Sequence, residues 1–217
     1  MNNIKIVLAS GNRHKYDEFA DFFASLDSAG MSGERVELLS IEDFARTPVD
    51  IEESGSSYEE NAAIKAQTCA KLFGLPVIAD DSGLEVRALD WRPGIYSARA
   101  APGGDRARIL WLLDLMEEKD DRRACFRASC VIAFPNSQEG LRNYFSSEGV
   151  CWGNISCCPS GEEGFGYDPV FVPDGHQKSF AELGRAVKRE ISHRSIAMRG
   201  VALILPYVVK YSLVHCG

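Results

Sequence analysis

An apolar segment in the first half of the chain ends in two adjacent carboxylates. Residues 75–79 are apolar, and Asp80, Asp81, Ser82 and Gly83 follow them directly. A buried carboxylate without a partner is costly, so each one needs a metal ion, a hydrogen-bond donor or water. In open α/β sheets, ligands bind at the carboxyl ends of the strands. The acidic pair is therefore a candidate site for a hard cation shared with a phosphate ligand. The alternative is an Asp-rich turn in which Gly83 supplies a positive φ.

Hydrophobic periodicity predicts a chain in which strands and helices alternate. A strand over residues 4–9 precedes a helix with an apolar face that begins at Tyr16. Ser57 and Glu60 have the spacing of a capping box, which predicts a helix over residues 58–73. Further strands are predicted over 36–41, 84–87, 125–134, 141–146 and 150–155, and further helices over 105–118 and from about 192.

The strand-rich middle of the chain predicts a second lobe. It covers roughly residues 86–155, and no repeat, low-complexity tract or clear linker separates it from the rest. A single α/β domain of two lobes with a cleft between them is therefore expected over residues 1–217.

Composition excludes two broad classes of partner. The chain has 31 acidic and 24 basic residues and a formal net charge of −7, which argues against a general nucleic-acid surface. The N-terminal residues do not resemble a signal peptide. The apolar stretch 201–214 contains Pro206 and Lys210 and is too short to span a bilayer. We expect no nucleic-acid partner and no membrane partner.

Cysteine usage indicates a reducing compartment. The seven cysteines are odd in number, none forms a C-x-x-C pair, and they lie mostly in apolar segments. Such thiols, in a chain without an export signal, predict a cytoplasmic protein with reduced cysteines. A zinc cluster at Cys151, Cys157 and Cys158 is the alternative, although no suitably spaced fourth ligand is present.

The turn after the first strand carries groups that bind phosphate. Residues 10–15 combine Gly11, Asn12 and Lys15 immediately before a predicted helix. Backbone N–H groups at a helix start and a nearby lysine favour an anion. With a single glycine this is not a P-loop, and an ordinary βα turn is the alternative. Glu52 and Glu53 lie in a second polar loop, just before the predicted helix 58–73, and are candidate functional residues. The alternative is that they form a solvated acidic loop beside the start of that helix.

A glycine-rich segment places two aromatic rings among flexible positions. Residues 161–169 contain Phe165 and Tyr167 between glycines, so that the backbone can approach a flat ligand while a ring stacks on it. Alternatively, both rings cover the core. Lys188 and residues 192–194 add cationic donors near a predicted helix start.

Taken in order, these segments resemble the inosine triphosphate pyrophosphatase family. The resemblance extends from Ile4 to about Met198. It rests on Ser10-Gly11-Asn12-x-x-Lys15, Glu52-Glu53-Ser54-Gly55, Glu60-Asn61-Ala62, Ala79-Asp80-Asp81-Ser82-Gly83, Pro93-Gly94-Ile95-Tyr96-Ser97-Ala98-Arg99, Gly164-Phe165-Gly166-Tyr167-Asp168-Pro169, Lys188 and Ile191-Ser192-His193-Arg194.

The resemblance implies a fold, a reaction and a set of roles. The implied fold is an elongated mixed sheet with flanking helices and two lobes around a central nucleotide-binding cleft. The implied protein is a Mg²⁺-dependent homodimer that cleaves dITP, ITP and XTP to the monophosphate and pyrophosphate. Asp81 is the implied proton acceptor, and Glu52 and Asp81 are the implied metal ligands. The implied substrate-binding residues are Ser10, Gly11, Asn12, Arg13, His14, Lys15, Ser82, Phe165, Gly166, Tyr167, Asp168, Lys188, His193 and Arg194.

Hydrogen-bond chemistry suggests how such a site would choose its base. Hypoxanthine and xanthine carry an acceptor at position 6, whereas adenine carries an amino donor. Arg194 and His193, or nearby backbone N–H groups, would donate to O6 and would remain unpaired opposite adenine. Each unpaired group costs roughly 1–3 kcal/mol. Rejection of guanine must depend on its 2-amino group.

Two segments depart from the family pattern. Residues 100–113 lack the asparagine expected in the next helix, and residues 205–217 are apolar where a polar helix end is expected. We expect the tail to form an extra packed strand, with a dimer contact as the alternative. Two other functions stay open, a pool pyrophosphatase for a different base and a catalytically silent nucleotide-binding protein. The silent protein would be expected to lack an acid, yet Glu52 and Asp81 are both present.

Overall fold

The computed structural model describes residues 3–28, 35–44, 51–135 and 143–208. The strands are Asn3–Leu8 (β1), Arg35–Ser40 (β2), Val77–Val86 (β3), Arg92–Pro93 (β4), Arg123–Ala133 (β5), Tyr144–Ile155 (β6) and Phe171–Pro173 (β7). The helices are Arg13–Ser28 (α1), Tyr58–Phe73 (α2), Gly104–Leu115 (α3), Phe180–Ile191 (α4) and His193–Ala202 (α5). None of the helices in these ranges combines the length and apolar composition of a membrane span.

The described strands form one mixed sheet. Its order is β2-β1-β3-β5-β6-β7, and β4 pairs with β3. Strand β1 is parallel to β2 and β3, whereas the β3–β4 and β6–β7 pairs are antiparallel. The predicted mixed sheet with flanking helices is confirmed.

Helix α2 has the bounds that its sequence predicts. The Ser57 hydroxyl accepts from the backbone N–H of Glu60 at 3.2 Å, and Gly74 ends the helix with a φ of 67°. Small side chains on one face, including Ala62 and Ala66, are buried completely. These alanines let the helix lie close to the sheet. The close packing in turn fixes the position of the polar residues in the first turns of the helix.

Strand β3 corrects the interpretation of the acidic pair. The sequence predicts that a strand ends at residue 79, turns through Asp80 to Gly83, and resumes at residue 84. The structure instead has one continuous strand, Val77–Val86, with both carboxylates inside it. The prediction was wrong because composition favours a turn, whereas tertiary contacts give each carboxylate a partner within the fold.

The second half of the chain differs from the prediction at three further points. The segments 141–146 and 150–155 were predicted as separate strands, but the described part of them belongs to the single strand β6. Helix α4 was not predicted, because Gly184 with a φ of 77° interrupts its pattern. Residues 205–208 are helical rather than a strand. Residues 136–142, which include the connection between the predicted strands 125–134 and 141–146, and the rest of the tail, 209–217, lie outside the described residues.

The described chain divides into two compact units, each with its own core. The first contains residues within Met1–Asp81, Ser129–Glu148 and Ala197–Gly217, and the second contains Ser82–Ala128 and Gly149–Ile196. The first core packs α2 alanines against apolar residues of β1, β3 and β5. The second core packs Phe126, Phe171 and Phe180 with apolar residues of α3. The predicted second lobe at roughly 86–155 overlaps the second unit only in part.

Gly153 is expected to be essential for stability. A Cβ atom there would lie 2.7 Å from Cζ of Phe171 and still closer to the carbonyl oxygen of Val172. Because β7 is fixed against β6 at this point, Gly153→Ala should lower the free energy of unfolding by about 1–3 kcal/mol or more. Denaturant unfolding measures the change. Gly11→Ala, where a Cβ meets nothing within 4 Å, is the control and should be nearly neutral.

Candidate functional site

Asp81 lies at the centre of a charged cluster in the first unit. We define the acidic cluster as Lys15, Glu53, Asn61, Lys65, Asp80 and Asp81. The Asp81 side chain is buried, and Nδ2 of Asn61 donates to its Oδ2 at 3.0 Å. Burial raises the pKa of Asp81, while Lys65, Asn61 and Lys15 oppose that rise. A carboxylate held in this way is suited to accept a proton at neutral pH.

Two lysines balance the other carboxylates of the acidic cluster. Nζ of Lys15 lies 3.0 Å from Oδ1 of Asp80, whose side chain is completely buried. Nζ of Lys65 lies 2.6 Å from Oε1 of Glu53 and donates to the backbone carbonyl of Asp80 at 2.9 Å. Lys65 was missed in the sequence, although it lies four positions after Asn61 and so on the same face of α2.

The predicted phosphate-binding turn is built around Asn12. Its side-chain oxygen accepts from the N–H groups of His14 at 2.9 Å and Lys15 at 3.3 Å, so Asn12 caps helix α1. The Ser10 hydroxyl accepts from the N–H of Asn12. The side chain of Arg13 contacts Asp17 of the same helix. Residues 11–14 are exposed, whereas Lys15 is half-buried and reaches Asp80 of the acidic cluster.

The Glu52–Glu53 loop is fixed to the start of α2. The carboxylate of Glu60 accepts from the N–H and hydroxyl of Ser56, at 2.6 and 2.7 Å, and these bonds lower the pKa of Glu60. The N–H of Gly55 donates to Oδ1 of Asn61 at 2.9 Å. Glu52 itself is exposed. The loop therefore presents Glu52 to solvent and Glu53 to Lys65.

A second cluster lies within the second unit and combines a ring with cations. We define the aromatic–cation cluster as Ser82, Phe165, Asp168, Lys188 and Arg194. Nζ of Lys188 lies 2.6 Å from Oδ2 of Asp168, and the side chains are 8% and 2% exposed. The same oxygen accepts from the N–H of Phe165 at 2.8 Å. Nζ of Lys188 lies 4.4 Å from the centre of the Phe165 ring.

Arg194 and His193 begin helix α5 and are both buried. Nη2 of Arg194 donates to the Ser82 hydroxyl at 2.8 Å, and its guanidinium carbon lies 5.6 Å from the centre of the Phe165 ring. The His193 ring stacks on Phe126 with centroids 4.7 Å apart and an interplanar angle of 13°. The structure thus brings together Ser82, Phe165, Asp168, Lys188 and Arg194. His193, which directly precedes Arg194 in the sequence, stacks on Phe126.

Two hydrogen bonds and one close approach at a glycine hold the glycine-rich loop in place. The Asp105 carboxylate accepts from the N–H of Gly166 at 2.6 Å, and the Tyr167 hydroxyl donates to the carbonyl of Ser97 at 3.1 Å. Gly164 has a φ of 82°, and a Cβ there would lie 2.9 Å from Cγ of Asp168. Tyr167 is therefore a buried support rather than an exposed stacking ring, while Phe165 is only half-buried. Asp105 was missed because its segment departs from the family pattern.

Glu163 caps the part of helix α4 that follows Gly184, whereas Ser179 and Glu182 form a capping box at the start of the helix. Gly184 interrupts α4 with a φ of 77° and has no side chain to cap the turn that follows. Oε2 of Glu163 accepts from the N–H of Arg185 at 3.2 Å, and the N–H of Glu163 donates to the carbonyl of Ala181 at 3.3 Å. The loop that carries Phe165 is thereby attached to the helix that carries Lys188.

Metal ligands are not preassembled in the part of the chain that the structure describes. Within residues 3–28, 35–44, 51–135 and 143–208, no three His, Cys, Asp or Glu side chains are grouped closely enough to hold a metal ion. Cys157 and Cys158 are exposed and Cys151 is buried, and all three are free thiols. Burial raises the pKa of Cys69 to about 11, and those of Cys125 and Cys151 to about 12, so these thiols are unreactive.

Known proteins resemble this chain over almost its whole length. A protein of Oceanobacillus iheyensis named dITP/XTP pyrophosphatase is 43% identical over 196 residues, covering 89% of this chain and 94% of that protein. One of the same name from Mycobacteroides abscessus is 41% identical over 218 residues, covering 99% and 98%. The structure of a HAM1 protein from Coxiella burnetii is similar with a TM-score of 0.79 and 36% identity, covering 94% and 99%.

The family itself is identified by a match that spans both units. The model of the Ham1 family matches residues 6–203, which include every residue of the acidic and aromatic–cation clusters. The relatives named dITP/XTP pyrophosphatase confirm the resemblance found in the sequence motifs. The chain therefore belongs to the Ham1 family.

Proposed function

We propose that this chain hydrolyses non-standard purine nucleoside triphosphates, namely dITP, XTP and ITP, between the α- and β-phosphates. The products are the nucleoside monophosphate and pyrophosphate. The observation that carries the proposal is Asp81, a buried carboxylate surrounded by Asn61, Lys15 and Lys65, in a chain whose relatives bear the name dITP/XTP pyrophosphatase. Such an enzyme removes damaged purines from the nucleotide pool.

In the proposed reaction, Asp81 accepts a proton from the attacking water. The oxygen of that water forms a bond to the α-phosphorus while the bond to the α–β bridging oxygen breaks, and pyrophosphate leaves with that oxygen. Lys15 and Lys65 lie close enough to Asp81 to favour its ionised form, which is the form that can accept a proton. Most of the rate enhancement would come from positioning and electrostatics.

The carboxylates of Glu52 and Asp81 have the donor chemistry that suits Mg²⁺. This ion prefers oxygen ligands, keeps several waters, and is usually bound by one or two carboxylates together with substrate phosphates. Glu52, which is exposed on its loop, and Asp81 would hold it, so a preassembled group of three ligands is not required. When bound, Mg²⁺ would polarise the phosphates and favour ionisation of the attacking water.

The aromatic–cation cluster has the groups that a purine base requires. Phe165 offers a half-buried ring for stacking. Arg194 and His193 are the proposed donors to O6, with Ser82, Gly166, Tyr167, Asp168 and Lys188 as further substrate contacts or supports. Residues 10–15 are the proposed triphosphate-binding turn. We further propose that the protein acts in the cytoplasm as a homodimer, with neither nucleic acid nor membrane as partner.

Arg194→Ala is expected to weaken substrate choice more than catalysis. Arg194 is buried and donates to Ser82 beside the Phe165 ring, whereas the proposed proton acceptor is Asp81. Loss of a donor to O6 should lower kcat/KM for dITP about 10- to 100-fold, with a smaller effect on dATP. Steady-state kinetics on both nucleotides measure this change. An unchanged ratio of the two kcat/KM values would refute the base-reading role.

The proposed activity is tested with a panel of nucleotides. Pyrophosphate release is measured for dITP, XTP, dATP, dGTP and dUTP, each with Mg²⁺ and with a chelator. Metal-dependent release from dITP and XTP, with dATP and dGTP nearly untouched, is the expected result. Preference for dUTP would indicate a pool enzyme for another base. Binding of dITP without turnover would indicate the silent nucleotide-binding protein.

A further inference from the structure

We propose that Asn61 is a positioning residue that holds the Glu52–Glu53 loop and Asp81 in one fixed arrangement. Its side chain is completely buried, and both ends of the amide are used. Nδ2 donates to Oδ2 of Asp81 at 3.0 Å, and Oδ1 accepts from the N–H of Gly55 at 2.9 Å. A single side chain therefore connects the proposed proton acceptor with the loop of the second proposed metal ligand. This inference rests on the proposed function.

Stabilisation of its own helix does not account for this side chain. The first turn of α2 is already capped by Ser57, whose hydroxyl accepts from the N–H of Glu60. The backbone N–H of Asn61 donates within the helix, to the carbonyl of Ser57. The side-chain amide instead points away from α2, toward β3 on one side and toward the preceding loop on the other. A buried amide is tolerated only with its hydrogen bonds made, and these two contacts provide them.

The loop is packed against Asn61 without spare room. A Cβ atom at Gly55 would lie 2.8 Å from Oδ1 of Asn61 and 2.6 Å from Cβ of Glu60. Only glycine allows the backbone of the loop to approach this closely. The position of Glu52 and Glu53, three and two residues before Gly55, is therefore fixed by the same amide that binds Asp81.

The chemistry of the position favours asparagine over its nearest alternatives. Asp81 requires a donor and the N–H of Gly55 requires an acceptor, and the amide supplies one of each. A carboxylate at position 61 would face the carboxylate of Asp81, and an apolar side chain would leave both partners unpaired. The effect of Asn61 on the reaction is indirect, because it acts through Asp81 and the loop.

The test compares Asn61→Ala with Gln67→Ala, a matched amide-to-alanine change on the same helix. Gln67 is half-buried, and its side-chain amide donates to Oδ1 of Asn143, which is not a residue of the acidic cluster. Mutation of a residue that hydrogen-bonds to a metal ligand typically lowers activity or metal affinity about 10- to 100-fold. Asn61→Ala should lower kcat for dITP by that factor with little change in KM, whereas Gln67→Ala should leave both close to the wild type.

A binding measurement provides a readout other than activity. Mg²⁺ is titrated calorimetrically into protein saturated with the non-hydrolysable analogue α,β-imido-dITP. The half-saturating Mg²⁺ concentration should rise about tenfold in Asn61→Ala and stay unchanged in Gln67→Ala. A merely structural role would lower the melting temperature of both variants without separating these two titrations.

Each outcome decides between the possibilities. A wild-type kcat and a wild-type Mg²⁺ titration in folded Asn61→Ala would overturn the positioning role. If Asn61→Ala does not fold, Gly55→Ala tests the same arrangement from the loop side, and a wild-type Mg²⁺ titration there would overturn it equally. Absence of turnover in the wild-type protein would instead refute the proposed function. The two failures are distinguishable, because the positioning role is judged by comparing Asn61→Ala with the wild type, whereas the proposed function is judged on the wild type alone.

Discussion

Asp81→Asn should reduce turnover of dITP about 10²- to 10⁴-fold, the usual contribution of a general base, while the protein stays folded. The amide has the shape of the carboxylate but cannot accept the proton of water. Its side-chain oxygen can still accept from Nδ2 of Asn61, so the contact seen in the structure is preserved. Because burial opposes the charge on Asp81, removing that charge should leave the melting temperature unchanged or slightly higher.

Kinetics and thermal unfolding of the same preparation measure both parts of this prediction. The control is Asp121→Asn, which removes an exposed carboxylate bonded to Arg87 and should keep wild-type turnover. A loss of turnover accompanied by unfolding would indicate a structural role for Asp81. Near-normal turnover in folded Asp81→Asn would remove Asp81 from the mechanism.

Lys188→Met should destabilise the protein by about 3–5 kcal/mol, the cost of leaving one partner of a buried ion pair alone. Asp168 is 2% exposed, and its Oδ2 lies 2.6 Å from Nζ of Lys188. The N–H of Phe165 also donates to that oxygen, at 2.8 Å, but it carries no net charge. The loop around Phe165 should loosen, so that affinity for nucleotide falls as well. Denaturant unfolding and nucleotide titration measure the two effects.

A double variant separates the ion pair from the packing of the lysine chain. In Lys188→Met with Asp168→Asn, neither residue of the pair carries a charge, so most of the lost free energy of unfolding should return. Equal destabilisation of the single and double variants would contradict the interpretation of Lys188 and Asp168 as a buried pair. Arg123→Met, which breaks a largely exposed pair with Asp174, should cost only about 0–1 kcal/mol.

Much of the fold follows from local pattern. Helix α2 was predicted with its observed bounds because Ser57 and Gly74 mark its two ends by known capping chemistry. Strands β1 and β5 agree within two residues at each end, since both segments are rich in apolar residues and contain no glycine or proline. The mixed sheet could be predicted because strands and helices alternate along the chain.

The errors arise where tertiary contacts override local pattern. Asp80 and Asp81 suggested a turn, but Lys15 and Asn61 supply partners from distant segments and allow a continuous strand. Helix α4 was missed because Gly184 breaks it, and Glu163 supplies a cap from another loop. The capping box of Ser179 and Glu182 does mark the start of α4 in the sequence, whereas the contacts made by Lys15, Asn61 and Glu163 come from distant segments and leave no local signal.

The sequence motifs predicted which residues belong to the candidate site but only some of the contacts between them. Motif order identified Asp81, Phe165, Lys188 and Arg194, and the structure brings the last three together. It included Asn61 without assigning it a role and did not identify Lys65 and Asp105, because hydrogen bonds between distant segments are fixed only by the fold. Glu52 as a metal ligand stays a prediction.

The central claim, hydrolysis of dITP between the α- and β-phosphates, is tested most directly by identifying the products. Phosphorus-31 NMR of the wild-type protein with dITP and Mg²⁺ distinguishes the two possible cleavages in one experiment. We expect dIMP and pyrophosphate in equal amounts from the first turnovers. Formation of dIDP and orthophosphate would contradict it, because the bond broken would then be the one between the β- and γ-phosphates.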